Sequence, residues 1–186
     1  MKESEPVNPP EFYTIDAPKF RDPTKSFRFG LLGGGVVDWR FPSNKPHRCR
    51  PLLERMGYFI KREEHYDFPL YSADKLEEEG FGHLFGNPYG GGASRAVGGG
   101  AFNFEKWSDA DPSYCLEWVW IHPYFRRQGI LAAAWENWRS KYGEFAIRPP
   151  YSRAMLAFLI KVNHPNPSQS WDEVRRLSFP REIIDG

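Results

Sequence analysis

The residues best suited to chemistry lie in one run, "LEWVWIHPYFRRQGILAAAWENW", Leu116 to Trp138. An apolar, strand-like stretch ends in a turn of Arg126, Arg127, Gln128 and Gly129, and an alanine-rich helical pattern follows at once. A strand feeding a helix through a tight turn leaves the first N–H groups of that helix without partners, at the positive end of the helix dipole. Such an end binds phosphate. Arg126 and Arg127 add charge, and Gly129 lets an anion approach the backbone without meeting a Cβ. The run reads as a pyrophosphate cradle.

The elements around this run follow from periodicity. The strand is Tyr114 to Ile121. The helix runs from Arg127 to Tyr142, with Ile130, Leu131, Ala134, Trp135, Trp138 and Tyr142 on one face and Gly143 ending it. A short strand, "EFAIR", and a further helix, "SRAMLAFLIKV", come next, the latter with Ala154, Met155, Phe158, Leu159 and Val162 on one face. Upstream, "FGHLFGNPYGGGASRAVGGGAFNF" predicts a β-hairpin around a loop from Gly86 to Ser94, and "EKWSDADPSY" a loop. Leu52, Leu53, Met56, Phe59 and Ile60 form the apolar face of a helix that Pro51 can start, although Gly57 interrupts it. The mixed charges on its other face read as a solvated surface. "SFRFGLLGGGVVDWRF" predicts two strands, or a strand and a loop, around a glycine turn; it lacks G-x-G-x-x-G spacing before a helix. A short helix is expected over Ser72 to Gly80, and another at "SWDEVRRLSFP", where Ser170 and Glu173 make a capping box and Pro180 ends it.

Composition narrows the function classes. The chain has 186 residues, 40% hydrophobic and 17% aromatic, long enough for one domain with a sizeable core and too apolar for a disordered one. A net charge of +1 gives no field that would attract nucleic acid. No run approaches the roughly 20 apolar residues of a membrane span, and no secretory signal opens the chain, so no membrane partner and a cytoplasmic location are expected. Cys49 and Cys115 are expected as reduced thiols. His47 and Cys49 have no second close-spaced ligand pair, so no metal is expected. The first 25 residues hold five prolines and read as an extended arm, with a single domain over 26–186.

On these residues the chain resembles the GNAT superfamily of N-acetyltransferases. Its acetyl-CoA-binding segment is an apolar strand, V-x-P or a near variant, then Q/R-x-x-G-x-G/A opening a helix. Ile121-His122-Pro123 matches the first part, and Arg126, Gly129 and Leu131 fall on the second. The hairpin before it and the strand and helix after it follow the family order, so the resemblance spans 81–162 and leaves 26–80 unmatched. It implies an α/β (α+β) fold with a mixed, mostly antiparallel sheet flanked by helices, and a splayed strand pair holding acetyl-CoA. It also implies acyl transfer from acetyl-CoA to an unidentified amine acceptor. Trp120, Ile121, Arg126, Arg127, Gln128, Gly129, Ile130, Leu131 and Ser152 are the expected cofactor-binding residues. A backbone N–H near Trp120 or Ile121 would hold the acetyl carbonyl.

For the base, Glu117 shares strand parity with Val119 and Ile121 and precedes the I-x-P element by four residues. His122 is a second candidate by its titration range. Two departures from the family pattern stand out: Leu131 occupies a position where Gly or Ala is preferred, and Phe158 falls where many members have a tyrosine acid. Tyr151, or Tyr124, then becomes the candidate acid. These departures motivate an alternative reading, a GNAT-like module without turnover that acts through a protein partner. A third reading, nucleic-acid binding, rests on Arg126, Arg127 and the cluster Arg48, Arg50 and Arg55. The acceptor would be selected by the aromatic-rich unmatched segment. The sequence leaves the oligomeric state open, a homodimer included.

Overall fold

The computed structural model describes residues 18–23, 25–64, 70–75, 79–106, 113–149 and 151–164. In chain order they form β1 (Lys19–Arg21), β2 (Arg28–Leu31), β3 (Val37–Pro42), α1 (Arg50–Glu63), β4 (Phe81–Gly90), β5 (Ala93–Glu105) and β6 (Ser113–Ile121), then α2 (Ile130–Tyr142), β7 (Ala146–Ile147) and α3 (Arg153–Lys161). The strands make one seven-stranded sheet in the order β2-β3-β4-β5-β6-β7. Every pair is antiparallel except β6 with β7. β5 has β4 along one edge; on the other, β6 takes Gly98 to Glu105 and β1 takes Ala93 to Arg95. The arm is therefore a sheet strand at Lys19–Arg21, while 1–17 lie outside the described residues.

Both faces of the sheet are covered, which is why its central strands read as nearly continuous apolar runs. On one face Trp135, Trp138 and Ile130 of α2 and Leu159 of α3 pack against Phe85, Val97, Phe102 and Leu116. On the other, Leu53, Met56 and Ile60 of α1 pack against Val37, Trp39, Leu84, Trp118 and Trp120. Trp135 and Trp138 are fully buried. Burying an aromatic of that size, ~200 Å², is worth on the order of 5 kcal/mol as an upper bound. Gly57 sits inside α1 without breaking it because the 70–71 segment crosses there: a Cβ would lie 3.2 Å from the Tyr71 backbone nitrogen.

Several expectations change. The hairpin loop is shorter than Gly86 to Ser94, since β4 continues to Gly90 and β5 resumes at Ala93. α2 begins at Ile130 rather than Arg127, because Arg127 (φ 60°) and Gly129 (φ 79°) are left-handed and cannot continue a right-handed helix. On α3, Leu156 and Leu159 are buried, Met155, Phe158 and Val162 pack partly against the same core, and Ala154 is exposed. The capping-box helix at Ser170 lies outside the described residues.

The helix expected from Ser72 is absent over Ser72 to Lys75, which form a bend; 76–78 lie outside the described residues. Arg50 is the reason. Its guanidinium, 1% exposed, donates to the carbonyls of Ser43 (2.8 Å), Lys45 (3.2 Å), Ser72 (3.4 Å) and Lys75 (2.5 Å), and Glu54 accepts from the Ala73 N–H. Backbone groups that a helix would pair internally are used by tertiary partners. Burial also removes Arg50 from the basic cluster of the nucleic-acid reading. Arg50→Ala is expected to lower unfolding free energy by about 2–3 kcal/mol, since it takes the partner from one buried and three part-buried carbonyls; urea denaturation followed by tryptophan fluorescence measures this directly.

Candidate active site

A β-bulge creates the site. Opposite β5, Ala101 faces Trp118 and Phe102 faces Leu116, so Glu117 is an extra residue in β6. A bulge bends its strand and ends pairing. β7 accordingly pairs with β6 only at Cys115↔Ala146 and Leu116↔Ile147, closed by the Arg148 N–H to the Leu116 carbonyl (2.9 Å). Beyond that point the two chains part, and a cleft of about 680 Å³ opens. Its walls are β6 from Leu116 to Ile121, the start of α2, Ile147, Arg148, Tyr151 and Ser152, one side of α3, and Ile60, Glu63 and Glu64 at the end of α1.

The bulge also corrects the parity argument for Glu117. Leu116, Val119 and Ile121 pack toward the α2 face, whereas Trp118 and Trp120 pack toward α1. Glu117 does not share a face with Val119 and Ile121: its carboxylate lies within 4.8 Å of Cys115 Sγ and of a Glu105 oxygen. Arg148 Nε donates to it at 2.7 Å, and Arg148 also pairs with Glu105. The trio of Glu105, Cys115 and Glu117 has metal-like spacing, but the Arg148 guanidinium already supplies the positive charge there. The Cys115 thiol is pushed up to about 12, first by burial and then by Glu117, which keeps it protonated and a poor ligand.

At the mouth of the cleft, Gly129 caps α2 without any side-chain hydrogen bond, and no acidic residue occupies the first turn. The Ala133 N–H reaches the Gly129 carbonyl (3.0 Å), which leaves the preceding amides of that turn outside the helix ladder. Two left-handed residues, Arg127 and Gly129, curl the backbone ahead of it in the manner of an anion nest. Arg127, Gly129, Ile130 and Leu131 all line the cleft. Leu131 also packs against the α2-face core, so its bulk is partly turned inward.

The remaining expected residues divide. Ser152 caps α3, accepting from the Met155 N–H (3.2 Å), and lines the cleft. Tyr151 lines it too, its hydroxyl donating to the Ile147 carbonyl at 2.9 Å. Phe158 forms part of the wall, packed edge-on against Trp135. Gln128 is outside the lining, with Nε2 donating to the Tyr124 carbonyl (2.8 Å). His122 is buried, its Nδ1 accepting from the Tyr124 N–H (3.3 Å), and neither it nor the exposed Tyr124 lines the cleft. Since the His122 N–H bonds to Val97 of β5, alternation turns the Trp120 amide toward β5 and the Ile121 amide toward the open edge. The Trp120 side chain goes to the α1 face, with Nε1 donating to Glu63 (3.1 Å).

Arg126 lies at the cleft, but its guanidinium turns away from α2. Nε donates to the Ile121 carbonyl (2.8 Å) and Nη2 to Glu63 (2.7 Å). Glu63 and Arg148 are the site residues that sequence reasoning misses. Glu63 reads locally as one of the solvated charges of α1, and its partners lie 57 and 63 positions away, a separation that no local pattern reports.

The sequence matches no protein-family model and no curated protein. Among solved structures, the xEco2 acetyltransferase domain bound to a CoA conjugate aligns with a TM-score of 0.53 at 13% identity, over 72% of this chain and 90% of that one. The chain shares the fold of that acetyltransferase domain. An acetyltransferase of Trypanosoma brucei aligns with a TM-score of 0.45 at 16% identity, over 73% of this chain and 96% of that one. The acetyltransferase fold is carried here by the mixed sheet, its parallel β6/β7 pair and the helices on both faces. Among the described residues, no helix is long and apolar enough to cross a membrane.

Proposed function

We propose that the protein transfers the acetyl group of acetyl-CoA to a primary amine. The observation that carries this reading is the uncapped, acid-free N-terminus of α2 opening onto the cleft between β6 and the segment after β7. A helix end of that kind suits a diphosphate. The strand edge left free beyond Leu116 suits an extended, amide-bearing arm, and the bound CoA conjugate of the structurally similar xEco2 domain is in keeping with such a ligand.

In this reading Arg127 and the amides from Gly129 to Leu131 bind the diphosphate, and Ser152 lies beside the arm. The Ile121 N–H polarises the thioester carbonyl and stabilises its oxyanion. The amine nitrogen attacks the carbonyl carbon, the C–S bond breaks, and the hydroxyl of Tyr151, a residue of the cleft wall, leaves the Ile147 carbonyl to give its proton to the departing thiolate and regains one from the nitrogen through water. The α1 wall comes from the segment 26–80, which is the portion assigned to acceptor choice.

Calorimetric titration of acetyl-CoA into the protein tests the reading, with micromolar binding expected. Absence of binding by the folded protein would overturn it and favour a module that acts through a protein partner.

A further inference from the structure

Glu63, Glu64 and Glu117 line the cleft, and the surroundings of Glu63 and Glu117 differ. Glu117 is held by Arg148 at the closed end, next to Leu116, where the strands have only begun to part. Glu63, the last residue of α1, comes from the opposite wall. One of its oxygens accepts from Trp120 Nε1 (3.1 Å) and the other from Arg126 Nη2 (2.7 Å). Arg126 is itself fixed by its Nε bond to the Ile121 carbonyl (2.8 Å). The Glu63 carboxylate is thus tied to the last two residues of β6, to Trp120 through its indole and to Ile121 through Arg126, with its side chain 10% exposed and Glu63 part of the cleft wall. Glu64 adds a second negative charge to the same wall.

We infer that Glu63 receives the acceptor: it binds the ammonium of an aliphatic amine and takes its proton, while Trp120 and Arg126 act as positioning residues. This rests on the acetyltransferase reading above. Arg126 then serves the acceptor side of the cleft, which accounts for its guanidinium turning from α2 toward α1. The substrate class follows from the charge. An aliphatic amine, cationic near neutral pH, gains a charge-assisted hydrogen bond on entering, whereas a weakly basic aromatic amine does not. In the reaction, an ammonium N–H bond breaks and the proton passes to a Glu63 oxygen, directly or through one water. The freed lone pair forms the C–N bond to the thioester carbonyl. The C–S bond then breaks with its electron pair on sulfur, the thiolate takes the Tyr151 proton, the nitrogen's second proton restores the Tyr151 hydroxyl through water, and Glu63 releases its proton to solvent.

The test needs no known acceptor. S-(2-aminoethyl)-CoA carries an ammonium just past the sulfur, and S-propyl-CoA is its neutral isostere. The wild type is expected to bind the first about tenfold more tightly than the second. Glu63→Gln should bind the two equally, with its affinity for S-propyl-CoA unchanged, and that unchanged affinity also reports an intact cofactor site. Glu63→Asp, which keeps the charge but retracts it by one methylene, should show a reduced preference and covers the case in which the glutamine variant folds poorly. Equal binding of the two conjugates by the wild type would overturn the inference, as would a preference that survives Glu63→Gln and disappears in Glu117→Gln. Failure of the wild type to bind acetyl-CoA or either conjugate is a separate result, which removes the acetyltransferase reading and this inference with it.

Discussion

Gly129→Asp is expected to weaken acetyl-CoA binding on the order of 10³-fold, about 4 kcal/mol, with little change in thermal stability. The two effects separate for a physical reason. A Cβ at Gly129 meets no protein atom within 4 Å, so the added side chain projects into the open space before the first turn of α2. That is where the proposed diphosphate sits, and a carboxylate there removes the room and opposes the charge. The left-handed backbone at φ 79° costs an L-residue ~1–2 kcal/mol, but Asp tolerates that region better than most. A negative charge at a helix N-terminus returns ~0.3–1 kcal/mol. Gly129→Asn keeps the added volume without the charge and is expected to fall between wild type and Asp. Calorimetry and a melting curve on the three proteins check the prediction; an Asp variant that binds acetyl-CoA as well as the wild type would exclude the α2 N-terminus as the anion site.

Asp38→Ala is expected to destabilise the fold by about 3–5 kcal/mol, because it breaks a buried charged network and strands its other members. Asp38 of β3 and His83 of β4 are both fully buried under the C-terminal half of α2. His83 Nδ1 donates to the Asp38 carboxylate (3.0 Å), and Trp138 Nε1, 3.3 Å from Oδ2, donates to it as well. At the far side of the ring, Nε2 accepts from the Tyr142 hydroxyl (2.8 Å). Burial, above all, pushes that hydroxyl well above the usual tyrosine range, so it stays a donor, while the Arg40 side chain hydrogen-bonds to it. Donors and acceptors run in one consistent direction from Arg40 to Asp38, and removing the terminal acceptor takes the carboxylate partner from both His83 Nδ1 and Trp138 Nε1 in the core. For a chain of this length the loss corresponds to a drop of roughly 10 °C in melting temperature. Asp38→Asn, which retains one acceptor oxygen, should lose less. Urea titration monitored by tryptophan fluorescence reads both variants, and an unshifted midpoint in Asp38→Ala would show that the network contributes no net stability.

Local chemistry makes part of this protein legible in its sequence. The strand that ends at Ile121, the helix that ends at Tyr142 and the turn between them come from an apolar run, a 3.6 pattern and one glycine, signals contained within about 30 residues. The Ser152 cap and the apolar face of α1 are legible for the same reason. Local reasoning fails where partners are distant in the chain. The Ser72 segment has the composition of a short helix, yet its carbonyls are taken by Arg50, 22 and 25 positions away. Alternation puts Glu117 beside Val119, and a register slip against β5 moves it to Arg148.

By itself the sequence determined the strand-turn-helix that makes the α2 N-terminus and the amphipathic helices. Each of these is a preference of neighbouring residues for one backbone conformation and one buried face. The tertiary structure alone decided where β6 leaves β7, that Glu63 of α1 lines the cleft against Trp120 and Arg126, and that the Arg126 guanidinium pairs with protein groups. Those outcomes depend on the pairing register of β5 with β6 and on the docking of α1. Both are settled by packing between segments tens of residues apart, and a single extra residue at Glu117 changes which side chains meet.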